Sequence, residues 1–307
     1  MNRVFNNKTM FNKAKKIDLH FHSHYSDGVY SPKQLIEKLK QNNFQTVSLT
    51  DHNTIDGVEE FLKLGKKQGL EVIPGVEIYT DYQDKSLHVL GYNFNLKDEN
   101  LNFVLKELQA RRIPRVKEAI KILQAEGWEL SEKEVFNTVS SYMGLVHLAD
   151  PLKKHPKNWE RIKKDFNWFP GKIIPITEII VRYFIKKSHS LYRGHSICPE
   201  TTIPIEQAIK LIKQAGGQAI LAHPGEHLSW KDDNLIAEFK KMGLDGLEAI
   251  SSHHSWQEIE HWQKVAKELD LKITVGSDFH GDLPEEWGFP IRSQWEYWSC
   301  GGSTPTL

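Results

Sequence analysis

The sequence predicts an α/β barrel carrying a largely helical insertion, and three observations lead there. Apolar strand-like runs alternate with helical ones in the first hundred residues, and again from about residue 204 onward. The stretch between shows no clear strand. Histidines and carboxylates also recur where the strand-like runs stop, which is where parallel α/β barrels carry their working residues. At 307 residues the chain can form one large barrel, or one domain with a sizeable insertion.

The first strand spans Lys16 to His20 and runs into DLHFHSHYSDG. Ser31-Pro32-Lys33-Gln34 then reads as a helix start, with a capping residue, Pro at the first helical position and Gln three residues on. A second strand, Thr46 to Thr50, ends at Asp51-His52, and a helix follows over roughly Ile55 to Lys67. The third strand, Glu71 to Tyr79, ends its apolar run near Glu77. The fourth, Ser86 to Phe94, alternates Leu87, Val89 and Leu90 around His88, and the polar turn Asp81 to Lys85 makes the two neighbours. From about Asp98 to Gln214 the pattern is helical, with breaks at Gly127, Pro151, Pro156, Pro170 and Pro175. A helix over Pro204 to Gln214 is followed by the strand Gln218 to Ala222, ending at His223-Pro224. A helix near Asn234 to Lys241, the strand Gly246 to Ile250, a helix over Trp256 to Leu269 and the strand Lys272 to Gly276 complete the series, and the last strand ends at Ser277-Asp278-Phe279-His280. The expected division is an arm over 1–16, a barrel over 17–97 and 204–296, and an insertion over 98–203 on the substrate side. Residues 301–307 read as a flexible end.

Composition narrows the classes. The 40 basic residues balance the 40 acidic ones, so no global field favours long nucleic acid or an anionic membrane. No run of about 18 apolar residues offers a bilayer span, and the basic N-terminus lacks the apolar core of a secretion signal. Cys198 and Cys300 lie far apart, so the expectation is a reducing cytoplasm rather than a disulfide framework.

The fifteen histidines are the unusual count, and their positions carry the chemistry. His20 and His22 follow the first strand, His52 the second, Glu77 the third, and His223, Asp278 and His280 the later ones; His88 alone lies inside a predicted strand. Any single H-x-H or His-Pro pair is weak, but so many at one rim would pile up desolvated charge unless metal were bound. Imidazole nitrogen with carboxylate oxygen and no thiolate suits Zn²⁺, Mn²⁺ or Fe²⁺. The number of ligands exceeds what one ion accepts, so two or three divalent ions are implied. Glu77 could bridge two of them. Sites of this kind bind phosphoryl oxygens and activate water.

Taken in order, DLHFHSHYSDG, TDHNT, IPGVE, the His88 strand, AHP and GSDFH resemble the PHP family, the polymerase and histidinol phosphatase superfamily. The resemblance runs from Asp18 to His280 and implies a distorted (β/α)7 barrel with a trinuclear centre. His20, His22, Glu77 and Asp278 would hold one ion. Glu77 would bridge to a second, completed by His88 and His223, and Asp27, His52 and His280 would hold the third. Asp18 and Asp51 would support catalysis by orienting imidazoles, though Asp51 also reads as a helix N-cap.

Within the family the chain is most similar to small bacterial phosphoesterases acting on nucleoside monophosphates, nucleoside 3′,5′-bisphosphates or the 5′ ends of short RNAs. The helical insertion supports that branch, as does Arg111-Arg112-Ile113-Pro114-Arg115-Val116, which resembles its R-R-x-x-R helix start. Arg112 and Arg115 would grip phosphate. His254 in Ser252-His253-His254-Ser255 and His147 in LVHLAD match weaker substrate-side motifs, although the arginines that flank the family's counterpart of His147 are replaced by Leu145-Val146 and Asp150. His24, His155, His189, His195, His227, His253 and His261 read as surface or packing residues. The implied reaction is one-step hydrolysis of a phosphate monoester by in-line attack of a metal-activated water. A histidinol-phosphatase-like activity and a non-catalytic metal-binding module stay open as alternatives.

Overall fold

The computed structural model describes residues 16–137, 143–170 and 201–281. The expectations for the N-terminal arm, the C-terminal tail, His189, His195, Pro175 and both cysteines fall outside them, apart from Lys16. Strands β1 (Lys16–Phe21), β2 (Phe44–Leu49), β3 (Glu71–Tyr82), β4 (Lys85–Tyr92), β6 (Gln218–Leu221), β7 (Gly246–Ser251) and β8 (Lys272–Gly276) form one sheet in that order, and the two-residue β5 (Ile203–Pro204) pairs with β3. A bridge between Phe21 and Phe279, with His22 N donating to Phe279 O at 3.0 Å, brings the last strand's exit back to the first. The sheet is thereby a nearly closed barrel.

Its distortion lies at β4. The pairs β1–β2, β2–β3, β6–β7 and β7–β8 are parallel, but β4 runs antiparallel to both β3 and β6. A tight turn with Gln83 at φ 54° joins β3 to β4 as a hairpin, so no helical crossover is needed there. The reversal also explains why His88 lies within a strand. The first residues of β4 stand at the barrel end where the parallel strands finish, and His88 is paired with Tyr79 next to the exit of β6. Glu77 likewise lies inside β3, just past the last pair with β2 at Pro74 and already within the hairpin with β4.

Helices α1 (Pro32–Gln41) and α2 (Val58–Lys67) cover β1 and β2. The expected capping box at α1 is present, with Ser31 Oγ accepting from Gln34 N and Pro32 in the first turn. Helix α3 (Glu99–Ala125) follows β4. After it come α4 (Glu132–Phe136), a 3₁₀ turn (Leu145–Leu148), α5 (Ala149–Lys154) and α6 (Pro156–Asp165). The barrel then resumes through α7 (Ile205–Gln214), α8 (Pro224–His227), α9 (Asp233–Lys241) and α10 (Trp256–Glu268).

Two cores lie on either side of α3. Its Leu101, Leu105 and Leu108 pack with the barrel residues Val76, Leu87 and Ile209, whereas Val116, Ile120 and Leu123 pack with Trp128, Leu152 and Ile162 of the following segments. The Arg111–Arg115 segment is therefore not a helix start. It sits in the middle of a 27-residue helix, with Pro114 inside. Proline removes one backbone donor there, but packing on both sides keeps the helix continuous. Among the described residues no helix is long and apolar enough to cross a membrane.

Candidate metal centre

The alternation of an extended chain puts His20 and His22 on one side of β1 and its exit, while Phe21 between them packs into the core under α1 and α2. His52 follows β2, and its loop is pinned to β3 by Asn53 N donating to Glu77 O at 2.7 Å. His223 follows β6, and Asp278 and His280 follow β8. Two of these residues hold backbone angles that side chains avoid, His223 at φ 23° and Asp278 at φ 54°. Such strain persists only where surrounding contacts enforce it, and it clusters at functional sites.

Glu77 is the hub. Its Oε2 lies 3.3 Å from His20 Nε2, 3.3 Å from His22 Nε2 and 2.7 Å from His52 Nδ1. Its Oε1 lies 2.9 Å from His88 Nδ1 and 3.2 Å from His223 Nε2. The two oxygens thus face two sets of imidazoles, as a bridging carboxylate must. Asp278 Oδ1 stands 3.1 Å from His20 Nε2 and 2.9 Å from His22 Nε2. Asp27 lies 3.3 Å from His280 Nε2 and 3.5 Å from His52 Nε2. All nine residues expected to ligate metal are therefore brought together. Their donor atoms form three groups, each lying within 4.8 Å: His20, His22, Glu77 and Asp278; His22, Asp27, His52 and His280; and His88, His223 and His227.

The residues fit divalent ions on their own chemistry. His20 Nε2, His22 Nε2, Asp27 Oδ1, His52 Nδ1, Glu77 Oε2, His223 Nδ1 and Asp278 Oδ1 are buried and crowd against other charged groups, yet none makes a well-formed hydrogen bond. Each would cost about 1–3 kcal/mol if left so, and so many converging orphans call for cations. Without ions, protons must do the balancing. Burial alone would raise Glu77, Asp27 and Asp278, but the surrounding imidazoles outweigh it and hold all three carboxyls well below the usual range. Burial opposes charge on the histidines too, yet the carboxylates push His223 up to about 9 and His280 up to about 10. At His52 burial wins, and its value falls to about 4.

Asp18 and Asp51, expected to orient imidazoles, make their hydrogen bonds to backbone and hydroxyl groups. Asp18 Oδ1 accepts from the backbone N–H groups of His20 and Ser277, at 3.1 and 2.9 Å, so it clamps β1 to the exit of β8. Burial raises its carboxyl to about 7. Asp51 is not a helix cap; it accepts from Ser23 N at 2.7 Å, Ser23 Oγ at 2.6 Å and Ser26 Oγ. It reaches an imidazole only through Ser26, whose Oγ lies 3.4 Å from His22 Nδ1.

The carboxylate that orients an imidazole directly is Glu248 on β7, which sequence reasoning missed. Fully buried, it accepts from His20 Nδ1 at 3.0 Å and from His223 N at 3.0 Å. The signal was one acid in the otherwise apolar run Gly246-Leu247-Glu248-Ala249-Ile250, where a buried strand has no use for a solvated charge. His253, read as a surface or packing residue, donates to Asp278, one of the expected ligands, with Nε2 2.8 Å from Oδ2.

The substrate-side residues separate. Arg112 is buried, and its guanidinium lies 4.7 Å over the Tyr79 ring. The same ring stacks on His52 at 4.3 Å and meets His88 edge-on at 4.5 Å, so Arg112 stands at the rim of the ligand cluster. His147 is half-buried near Asp27 and Arg112, and burial lowers its basicity. Arg115 instead donates to Thr201 Oγ1 at 2.8 Å. His254, expected on the substrate side, spends both ring nitrogens on the backbone: Nδ1 donates to Ala249 O at 3.0 Å, and Nε2 accepts from Gly225 N at 2.9 Å.

A PHP domain family model matches residues 18–169. A 5′-3′ exoribonuclease of Haemophilus influenzae is 32% identical over 270 residues, covering 87% of this chain and 90% of that protein. This chain belongs to the PHP family. Another PHP relative, a 3′,5′-nucleoside bisphosphate phosphatase of Chromobacterium violaceum, is 25% identical over 274 residues and 89% of each chain. The crystal structure of a Bifidobacterium adolescentis protein assigned as a metal-dependent phosphoesterase superposes with a TM-score of 0.72 at 23% identity, covering 95% of this chain and 98% of that one. At that identity the likeness speaks for the PHP fold alone.

Proposed function

We propose that this PHP protein hydrolyses a phosphate monoester of a nucleotide, either a nucleoside 5′-monophosphate or a 3′,5′-bisphosphate, or of the 5′ end of a short RNA. The chain is a hydrolase of phosphoric esters, as the PHP relatives are by name. The observation that carries the reading is Glu77, whose two oxygens serve two imidazole groups, and the Tyr79 ring that touches His52 and His88 of those groups carries the Arg112 guanidinium. Two or three divalent ions of the Mn²⁺, Zn²⁺ or Fe²⁺ class would supply Lewis acidity toward a phosphoryl group and activate water.

The chain's own residues prepare that centre. His20, His22, Glu77 and Asp278 would hold one ion, and Glu77 would share a second with His88 and His223. Asp27, His52 and His280, with His22 beside them, would hold the third. Glu248 takes the Nδ1 proton of His20 and so leaves Nε2 facing inward. His280 is fixed in the same sense, its Nδ1 donating to Asp278 O at 2.8 Å. Arg112 would present paired N–H donors to the phosphoryl oxygens, with His147 near both it and Asp27. Arg115 would act through Thr201, on the segment leading into β5 and α7, rather than on phosphate. A cytoplasmic setting and a small phosphorylated substrate agree with the balanced charge.

The experiment is phosphate release by manganese-loaded protein from AMP, adenosine 3′,5′-bisphosphate, histidinol phosphate and a short 5′-phosphorylated RNA. Preference for a nucleotide or the RNA is expected. Turnover of histidinol phosphate alone would overturn the substrate class, and metal uptake without turnover of any ester would overturn the activity.

A further inference from the structure

The ligand set carried by the family resemblance leaves one ion with Glu77, His88 and His223. A third histidine reaches that same group. The donor atoms of His88, His223 and His227 all lie within 4.8 Å of one another. We propose that His227 is a protein ligand of the ion held by His88 and His223, so that this ion has three imidazoles and the Glu77 carboxylate as donors.

The local sequence explains the placement. His223-Pro224-Gly225-Glu226-His227 turns at once into the single helical turn α8, with His223 as its N-cap. The cap and the last residue of this turn both bring their rings against that of His88 on β4. The His227 ring centre lies 5.0 Å from that of His88 and 5.2 Å from that of His223, with the ring planes inclined at 59° and 55°. Rings at such angles bring their edges toward a common point rather than stacking face to face.

Neighbouring histidines show what a packing role looks like in this protein. His254 spends both ring nitrogens on backbone groups, and His261 donates to Asp233 at 2.9 Å. His227 Nε2 differs, being buried with no hydrogen-bond partner. The nearby carboxylate, Glu226, stays 3.7 Å away and lies closer to His223 Nδ1, at 3.2 Å. A buried nitrogen facing two other imidazoles is costly unless something takes its lone pair. A divalent ion does so, and three nitrogens with one carboxylate oxygen suit zinc better than the harder cations.

The proposal rests on reading the cluster as a metal centre, and metal binding tests it without any substrate. Wild type and the His227→Gln and His227→Asn variants are stripped with chelator, checked for folding by circular dichroism, and titrated with Zn²⁺ against a chromophoric competitor. Bound metal is then counted by mass spectrometry. The expected result is one zinc fewer per chain in both variants, or one zinc held roughly 10–100-fold more weakly, with the remaining sites unchanged. Equal stoichiometry and affinity would overturn the role of His227 and leave the metal centre standing. Absence of zinc from wild type would overturn the role of His227, and absence of manganese as well, in a parallel titration, would overturn the metal centre. Should the variants not fold, wild type is treated with diethylpyrocarbonate and mapped by peptide mass. Zinc should protect His227 from acylation, and equal labelling with and without zinc would overturn the proposal.

Discussion

Replacing Glu248 by Gln tests whether a buried carboxylate on β7 sets the affinity of a metal centre it does not enter. The carboxylate accepts two N–H groups at 3.0 Å, from the His20 ring and from the His223 backbone, and it is fully buried. A glutamine is nearly isosteric but has one oxygen and one NH₂. If its oxygen serves His20, its NH₂ faces the His223 N–H, donor against donor; if it serves His223, the His20 proton loses its acceptor. One hydrogen bond to a charged group is therefore lost in either pose, worth about 1.5–3 kcal/mol in a buried setting. That corresponds to a fall of roughly 10–100-fold in metal affinity, the range usual for carboxylates that orient ligating histidines. The assay is competitive zinc titration of Glu248→Gln and wild type after both are shown to melt cooperatively. The loss should show as weaker binding, and at saturating metal most of the turnover should return. Affinity within about twofold of wild type, well under the ~1.4 kcal/mol that marks tenfold, would refute the reasoning.

Four further outcomes follow from the same geometry. Arg112→Ala should lower kcat/KM on the preferred phosphate ester by roughly 100-fold, the scale of one donor to developing charge. Arg115→Ala should cost no more than about fivefold, the worth of one ~1 kcal/mol hydrogen bond to Thr201; equal losses would show that both arginines reach the substrate. For metal-free protein the sign of the pH dependence is set by His223 and His280, raised from 6.5 to about 9 and about 10. Their contribution is complete below pH 6.5 and lost as pH rises through 9 to 10, so the Tm should fall across that window while zinc affinity rises, because binding displaces the same protons. A metal-free Tm that stays level or climbs there would contradict this. Gly276→Ala places a Cβ against Glu248 Oε1 and the His20 Cβ. It should cost about 1–3 kcal/mol in urea unfolding and weaken zinc binding; wild-type values for both would mean that the wall yields.

The clustered histidines and carboxylates were visible in the sequence because most of them follow parallel strands, where the working end of a barrel can be read from strand boundaries alone. His20, His52, His223 and Asp278 were legible in this way, and their motif order gave the PHP family. Legibility failed where topology or hydrogen bonding decides. The His88 strand read as one more barrel strand, and only its antiparallel pairing on both sides shows why a ligand stands at its beginning. The family motif placed the arginine segment at a helix start, whereas packing against two cores carries the helix through it, Pro114 included. His254 matched a motif position, but a motif cannot tell a ring facing the pocket from one that bonds Ala249 and Gly225. Glu248 has no motif, and its role exists only because β7 lies beside the exits of both β1 and β6.

The reversed strand also sets a length. Because β4 runs backward, the chain leaves it at Tyr92, opposite the start of β6 and at the far end of the barrel from the ligands. Helix α3 must climb back from there. The thirteen positions from Glu99 to Arg112 rise about 20 Å at 1.5 Å each, roughly the height of a six-residue strand. At the top, Gln109 Nε2 donates to the carbonyls of His52 and Asn53, at 3.0 and 3.2 Å. The helix is thus a ruler with two marks: three positions beyond the docking glutamine comes the guanidinium. Deleting a single residue between Asn102 and Leu108 would turn everything above it by about 100°. Arg112 would then swing off Tyr79 without any change to a ligand, so this stretch of helix should tolerate substitution far better than a change in length.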